Sequence, residues 1–344
     1  MSQSPVRVRE LGVTVGNFAP GSLNAITDVV GVRVGQITLR DGALHTGVTA
    51  IVPGSLATRK TLPANLFVGN GYGKLVGATQ LVELGEIETP VVLTGTLSAF
   101  RAADALVSYM LALSGNEEMT SVNPIVGETN DGFLSDIRSR PITEAHVLDA
   151  LTSASDGPVA EGCVGAGTGT TALGFKAGIG TSSRVVPIEG RDAPATVGVL
   201  VQANFSGTLR VDGVAIPADQ ALAEVVATPE SEQGNSCMII VATDAPLDAR
   251  QLGRVARRAV FGMARVGADY THGSGDYGIA FSVGEGPSLR DAELSPIFIA
   301  TQEAVEEALL NSLFMAETTV GHHHRVRHAV PHAFVRERLR QAGR

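Results

Sequence analysis

Ser236 sits in the stretch of this chain with the most suggestive chemistry, Gly234-Asn235-Ser236-Cys237-Met238-Ile239-Ile240-Val241-Ala242-Thr243-Asp244-Ala245-Pro246-Leu247. A serine hydroxyl neighbours the carbonyl of the residue before it, and a strand that fixes both groups lets one attack the other. If that attack cuts the chain, Ser236 gains a free α-amino group beside its own hydroxyl. The amine is then a built-in base for the nucleophile. The plainer reading is that Gly, Asn and Ser suit the turn that leads into a strand. Cys237 is an alternative nucleophile. The plainer role for both cysteines, Cys163 and Cys237, is that of a small buried residue.

Other residues could serve such a nucleophile. In Tyr270-Thr271-His272-Gly273-Ser274-Gly275-Asp276-Tyr277, an extended chain puts His272, Ser274 and Asp276 on one face. Triad members rarely lie two apart on one strand, so Ser274 and Asp276 fit better as supports for a nucleophile elsewhere. Asn204 ends the apolar run 195–204, where its amide could donate to an oxyanion or serve a local turn. Glu128 ends another apolar run, where it could pair structurally or hold a cationic ligand. Asn130-Asp131-Gly132 is ordinary hairpin chemistry. The glycines of 69–74 and 160–171 suggest phosphate binding, but neither stretch has the P-loop or dinucleotide spacing. A pocket wall suits the first, and a tight segment threading between sheets suits the second.

These residues need strands to carry them. Residues 238–242 read as a buried strand before Asp-Ala-Pro. Strands are also expected over 90–96, 123–129, 195–204 and 208–214, with a β-rich region over 11–52. Helices are expected over 75–84, 98–113, 143–153, 248–266 and 295–319. Residues 217–235 read as an exposed linker that ends at Ser236. The last residues, 321–344, carry several His and Arg and read as a flexible basic tail. The His run could take a metal, but no carboxylate or cysteine accompanies it.

The chain has 344 residues, which allows one large domain or two, and a net charge of −9, which disfavours nucleic acid as a partner. It has no run long enough for a membrane span and no apolar signal core, so no membrane partner is expected and a cytoplasmic location is. Two cysteines make no disulfide framework.

The stretches Asn-Gly-Tyr-Gly-Lys (70–74), Gly-Glu-Thr-Asn-Asp-Gly (127–132), Val-Gln-Ala-Asn (201–204), 235–247 and Gly-Ser-Gly-Asp-Tyr (273–277) together resemble the self-processing aminopeptidases of peptidase family S58. That group holds the L-aminopeptidase/D-esterase and the β-peptidyl aminopeptidases. The resemblance implies one α/β domain, a four-layer α-β-β-α sandwich like that of N-terminal-nucleophile hydrolases but differently connected. It implies a cut between Asn235 and Ser236, giving chains 1–235 and 236–344. Ser236 is then the nucleophile, tuned by Ser274 and Asp276. Asn204 stabilises the oxyanion, Glu128 holds the substrate's amino group, and Asn130 falls where some relatives carry a tyrosine as second oxyanion donor. No metal or cofactor is implied. Substrates are small peptides, aminoacyl amides or esters, and processed heterodimers assemble, often as tetramers. Two other readings stand beside it: an ornithine-acetyltransferase-type N-acetyl transferase, a group that shares the implied self-cleaving sandwich but uses threonine where Ser236 stands, and a non-enzymatic small-molecule-binding module built on the glycine-rich loops.

Overall fold

The computed structural model describes residues 4–191, 193–224 and 235–344. In chain order, its main strands are β1 (Val32–Asp41), β2 (Leu44–Pro53), β3 (Leu62–Gly71), β4 (Glu86–Ile87), β5 (Val91–Gly95), β6 (Ile125–Thr129), β7 (Ile179–Val186), β8 (Ala195–Asn204), β9 (Ser236–Thr243) and β10 (Gly275–Ser282). The main helices are α1 (Ala99–Ala112), α2 (Glu144–Thr152), α3 (Ala249–Met263), α4 (Ser295–Phe314) and α5 (His332–Gln341).

The strands form two sheets, one of order β1-β2-β5-β6 and one of order β4-β3-β10-β9-β8-β7. Strand β9 shows why they stack. Cys237, Ile239 and Val241 join the core beneath helices α3 and α4. Met238, Ile240 and Ala242 join a second core shared with Leu93 and Ile125 of the other sheet. Alternate side chains of a strand point to opposite faces, so a strand covered on both sides reads as one unbroken apolar run. A third core packs α1 and α2 on the outer face of the first sheet. The result is the expected four-layer α-β-β-α sandwich.

Close approach between layers requires glycine at two points. A Cβ at Gly35 would meet the carbonyl of Ala150 on α2, and one at Gly180 would meet the carbonyl of Ala308 on α4. Helix α4 is buried along most of its length, Glu303 and Glu307 included. Arg184, itself fully buried, pairs with Glu307 at 2.6 Å. Arg9 and Asn24 reach the same carboxylate at 2.5 and 2.6 Å. A buried charge needs such partners.

Residues 321–344, expected as a flexible basic tail, are instead structured. Val326–Arg327 pairs with Thr319–Val320, and α5 follows. Val330, Val335 and Leu339 enter the main core. Val335 and Leu339 lie four apart, one helical turn, and the surrounding arginines mask that short apolar stripe in the sequence. The expected linker over 217–235 begins with a short helix, Ala218–Ala221; its remainder from 225 to 234, with Gly234, lies outside the described residues. Among the described residues, no helix is long and apolar enough to cross a membrane.

Candidate active site

Three adjacent strands of the larger sheet meet at one end. Ser236, the first residue of β9, pairs with Asn204 at the end of β8 and with Gly275 at the start of β10. Gly275 is flanked by Ser274 and Asp276, so register alone brings four of the expected residues together. Ser236 is 3% exposed, and its Oγ donates to the carbonyl of Asn235 at 2.5 Å. The hydroxyl therefore faces the bond that self-cleavage would break.

Asn204 is oriented from behind. Its Oδ1 accepts from the backbone N–H of Thr171 at 3.0 Å, which fixes how the amide group is turned. Thr171 follows the second glycine-rich stretch. That stretch makes a buried turn, Gly165–Gly167, which touches strands of both sheets. Lys176, fully buried, pins it by donating from Nζ to the carbonyls of Gly167, at 3.3 Å, and Ala177. Neither Lys176 nor Thr171 is legible in the sequence, since a lysine in a short strand and the second of two threonines carry no signal of their own.

Ser274 Oγ donates to Asp276 Oδ1 at 2.8 Å. Burial lifts the Asp276 carboxyl to about 6, against the pull of that hydrogen bond. Its Oδ2 has no partner among the described residues. His272 does not join them. It is exposed in the turn before β10, near the ring of Tyr72. Cys237 is fully buried in the helix-facing core, on the opposite face from Ser236, and burial raises its thiol well above the ordinary value. A thiol kept protonated is a poor nucleophile.

Glu128 approaches from the other sheet. Its neighbour Gly127 packs against Met238, two residues along β9 from Ser236. The two sheets are tied at this end by Gln202 Nε2, which donates to the carbonyls of Thr94 and Ala166 at 3.1 and 2.9 Å. Glu128 is 2% exposed, and burial raises its pKa, while the Lys74 N–H, donating to Oε1 at 2.8 Å, lowers it. Its Oε2 is buried with no partner among the described residues. The glycine-rich 69–74 segment forms the wall here: a Cβ at Gly73 would lie 2.8 Å from the Tyr277 ring and 3.3 Å from Glu128 Oε1. Asn130 is partly buried, and its Oδ1 accepts from Gly132 N at 2.9 Å, closing a local turn. The two clefts at the opposite end of β9, of about 460 and about 540 Å³, both border Pro246 and are remote from Ser236.

A hydroxyl turned on an amide carbonyl, with an amide donor beside it and a buried carboxylate across the sheet gap, is the chemistry of a hydrolase. The comparisons with known proteins agree. Residues 24–327 match Peptidase family S58. The chain is 39% identical to the beta-peptidyl aminopeptidase BapA of Sphingosinicella xenopeptidilytica, over 95% of this chain and 89% of that one. A crystal structure from Pyrococcus horikoshii OT3 superposes with a TM-score of 0.90 at 43% identity, over 98% of this chain and 100% of the other. The L-aminopeptidase D-Ala-esterase/amidase of Ochrobactrum anthropi, described as a new variant among the Ntn hydrolase fold, superposes with a TM-score of 0.89 at 36% identity, over 98% and 99%. The chain belongs to peptidase family S58. It is a hydrolase, and its kind is the aminopeptidase.

Proposed function

We propose that the chain cuts itself between Asn235 and Ser236 and then works as a serine aminopeptidase through an acyl-enzyme on Ser236. The observation that carries this reading is the Ser236 hydroxyl set against the Asn235 carbonyl at 2.5 Å, at the head of a rigid central strand. A hydroxyl held against the carbonyl oxygen has only a short shift to make to reach the carbonyl carbon.

Cleavage would give Ser236 a free amine, whose ordinary pKa is about 8. The fraction of that amine that is neutral near physiological pH accepts the hydroxyl proton as the serine attacks a substrate carbonyl. Asn204 Nδ2 donates to the oxyanion, and Asn130 is the candidate second donor. Ser274 and Asp276, flanking the strand partner of Ser236, tune the amine. Glu128, whose Oε1 already pairs with Lys74 Nζ at 3.8 Å, takes the substrate's ammonium on its unpartnered Oε2, and a blocked N-terminus would leave that buried oxygen unsatisfied. Substrates are then peptides, aminoacyl amides or esters with a free amino group. A cytoplasmic tetramer of processed heterodimers completes the reading.

The test is Ser236→Ala, followed by intact mass under denaturing conditions and N-terminal sequencing. The wild type should give two fragments, the smaller beginning Ser-Cys-Met-Ile, and the variant one inactive full-length chain. A variant that still hydrolyses aminoacyl amides would remove Ser236 from the mechanism.

A further inference from the structure

Asn235 carries the carbonyl that self-cleavage would attack, and its side chain is tied down. Its Nδ2 donates to Thr271 Oγ1 at 3.2 Å. Thr271 Oγ1 lies 2.8 Å from Ser206 Oγ, and Ser206 Oγ donates to Asp269 Oδ1 at 2.7 Å. A hydroxyl has one proton to give. Since Ser206 gives its proton to Asp269, Thr271 must donate to Ser206 and accept from Asn235. The chain therefore runs one way, from the Asn235 amide through two hydroxyls to a carboxylate.

The loop that carries Thr271 is built rather than loose. Asn70 Nδ2 donates to the Thr271 carbonyl at 2.7 Å. Asp269 N donates to the Ser206 carbonyl at 3.3 Å, and Gly207 bridges to Ala268. Tyr270 sits at φ 49°, and its hydroxyl donates to the Val260 carbonyl at 2.6 Å. A bulky residue at positive φ is strained and persists only where its surroundings hold it. Neither Ser206 nor Thr271 has a part in the turnover read above, and Asp269 bears on it only through its charge, which helps hold up the Asp276 carboxyl.

We infer that the 269–271 loop, with Ser206, is a clamp for self-cleavage that fixes the Asn235 side chain and so the plane of the scissile carbonyl. The inference rests on the reading that Ser236 makes the cut. In that step Ser236 Oγ bonds to the Asn235 carbonyl carbon, the carbon–nitrogen bond to Ser236 breaks, and the hydroxyl proton ends on the released amine. Water then hydrolyses the ester, leaving Asn235 as a carboxylate and restoring the hydroxyl. In the uncut chain the hydroxyl lies against the carbonyl oxygen, so attack requires it to shift to the carbon of a carbonyl held still. After the cut, Asn235 is no longer joined to Ser236, and the clamp has no hold on the nucleophile. Thr271 is thus a positioning residue for maturation alone.

The experiment follows the conversion of freshly purified full-length protein to two fragments by denaturing mass spectrometry. Aminopeptidase kcat and KM are then measured per processed protomer. Thr271→Val should slow conversion on the order of tenfold or more, and Thr271→Ser should restore it. Once processed, Thr271→Val should match the wild type in both kcat and KM. Ser206→Ala tests the same chain from its other end, and would serve alone if Thr271→Val were insoluble. Wild-type conversion rates in both Thr271→Val and Ser206→Ala overturn the inference. So does an equal loss of processing and turnover, which would mark a general structural role. A wild type cut between Asn235 and Ser236 keeps the parent reading standing in either case, whereas a wild type never cut there removes both.

Discussion

In the proposed mechanism, Asp276 is where catalysis and stability would oppose each other. Burial holds its carboxyl up at about 6, so folding favours the neutral form. The stability it contributes is full below the ordinary aspartate value of about 4 and is lost as pH rises through the folded value. Tuning an amine calls for the ionised form. We therefore expect kcat/KM, already falling as the Ser236 amine protonates, to fall more steeply below about pH 6 through this group, and Asp276→Asn to remove that lower limb with a loss in kcat on the order of tenfold or more. The same variant should flatten the decline in thermal stability between about pH 4 and about pH 6. A lower limb unchanged in Asp276→Asn would sink the assignment. At this scale the sequence was legible where residues are neighbours or share a motif. Ser274 and Asp276 were paired from their spacing, and the Ser236–Asn235 contact is local. The Asn235 tether was not legible, because Ser206 and Thr271 are ordinary hydroxyl residues brought together only by the fold.

Elements were read best where one apolar pattern ran unbroken. Strand β8 has the expected bounds, Ala195–Asn204, and α3 starts as expected behind Asp248, whose side chain caps it by accepting from Gln251 N at 2.7 Å. The helix expected to reach residue 319 stops at Phe314, because Thr319-Val320 leaves it to pair as a strand, as β-branched residues favour. The strand expected over 208–214 is two short pieces around Asp212 and Gly213, both at positive φ. The Asp-Gly turn signal was present and outweighed the apolar residues beside it. Gly180 was passed over, yet it lets α4 lie on β7. A side chain there would strike backbone, the Ala308 carbonyl and the Ser312 N–H. We expect Gly180→Val to cost about 2 kcal/mol or more, read as a lower denaturation midpoint with an unchanged slope. Wild-type stability in that variant would show that the helix can move aside.

The molecule as a whole is interleaved about residue 235. Strands β9 and β10, which follow it, lie between β3 and β8, which precede it. Helix α4, also after residue 235, takes Arg9 and Arg184 from before it. None of this could be seen along the sequence, since strand order is a property of the folded sheet. After self-cleavage the two fragments should elute together on size exclusion at every ionic strength and part only in denaturant. Fragments that separate in native buffer would contradict the sheet order.

That interleaving also changes what kind of event folding is. The uncut chain folds in a first-order process, at a rate indifferent to how much protein is present. Once cut, the same sheet can re-form only when two molecules meet, and the recovered fraction depends on concentration. Maturation would thus convert a reversible fold into one that is assembled once. A matured molecule that unfolds in dilute solution has lost its way back, so its working lifetime is set by how slowly it opens.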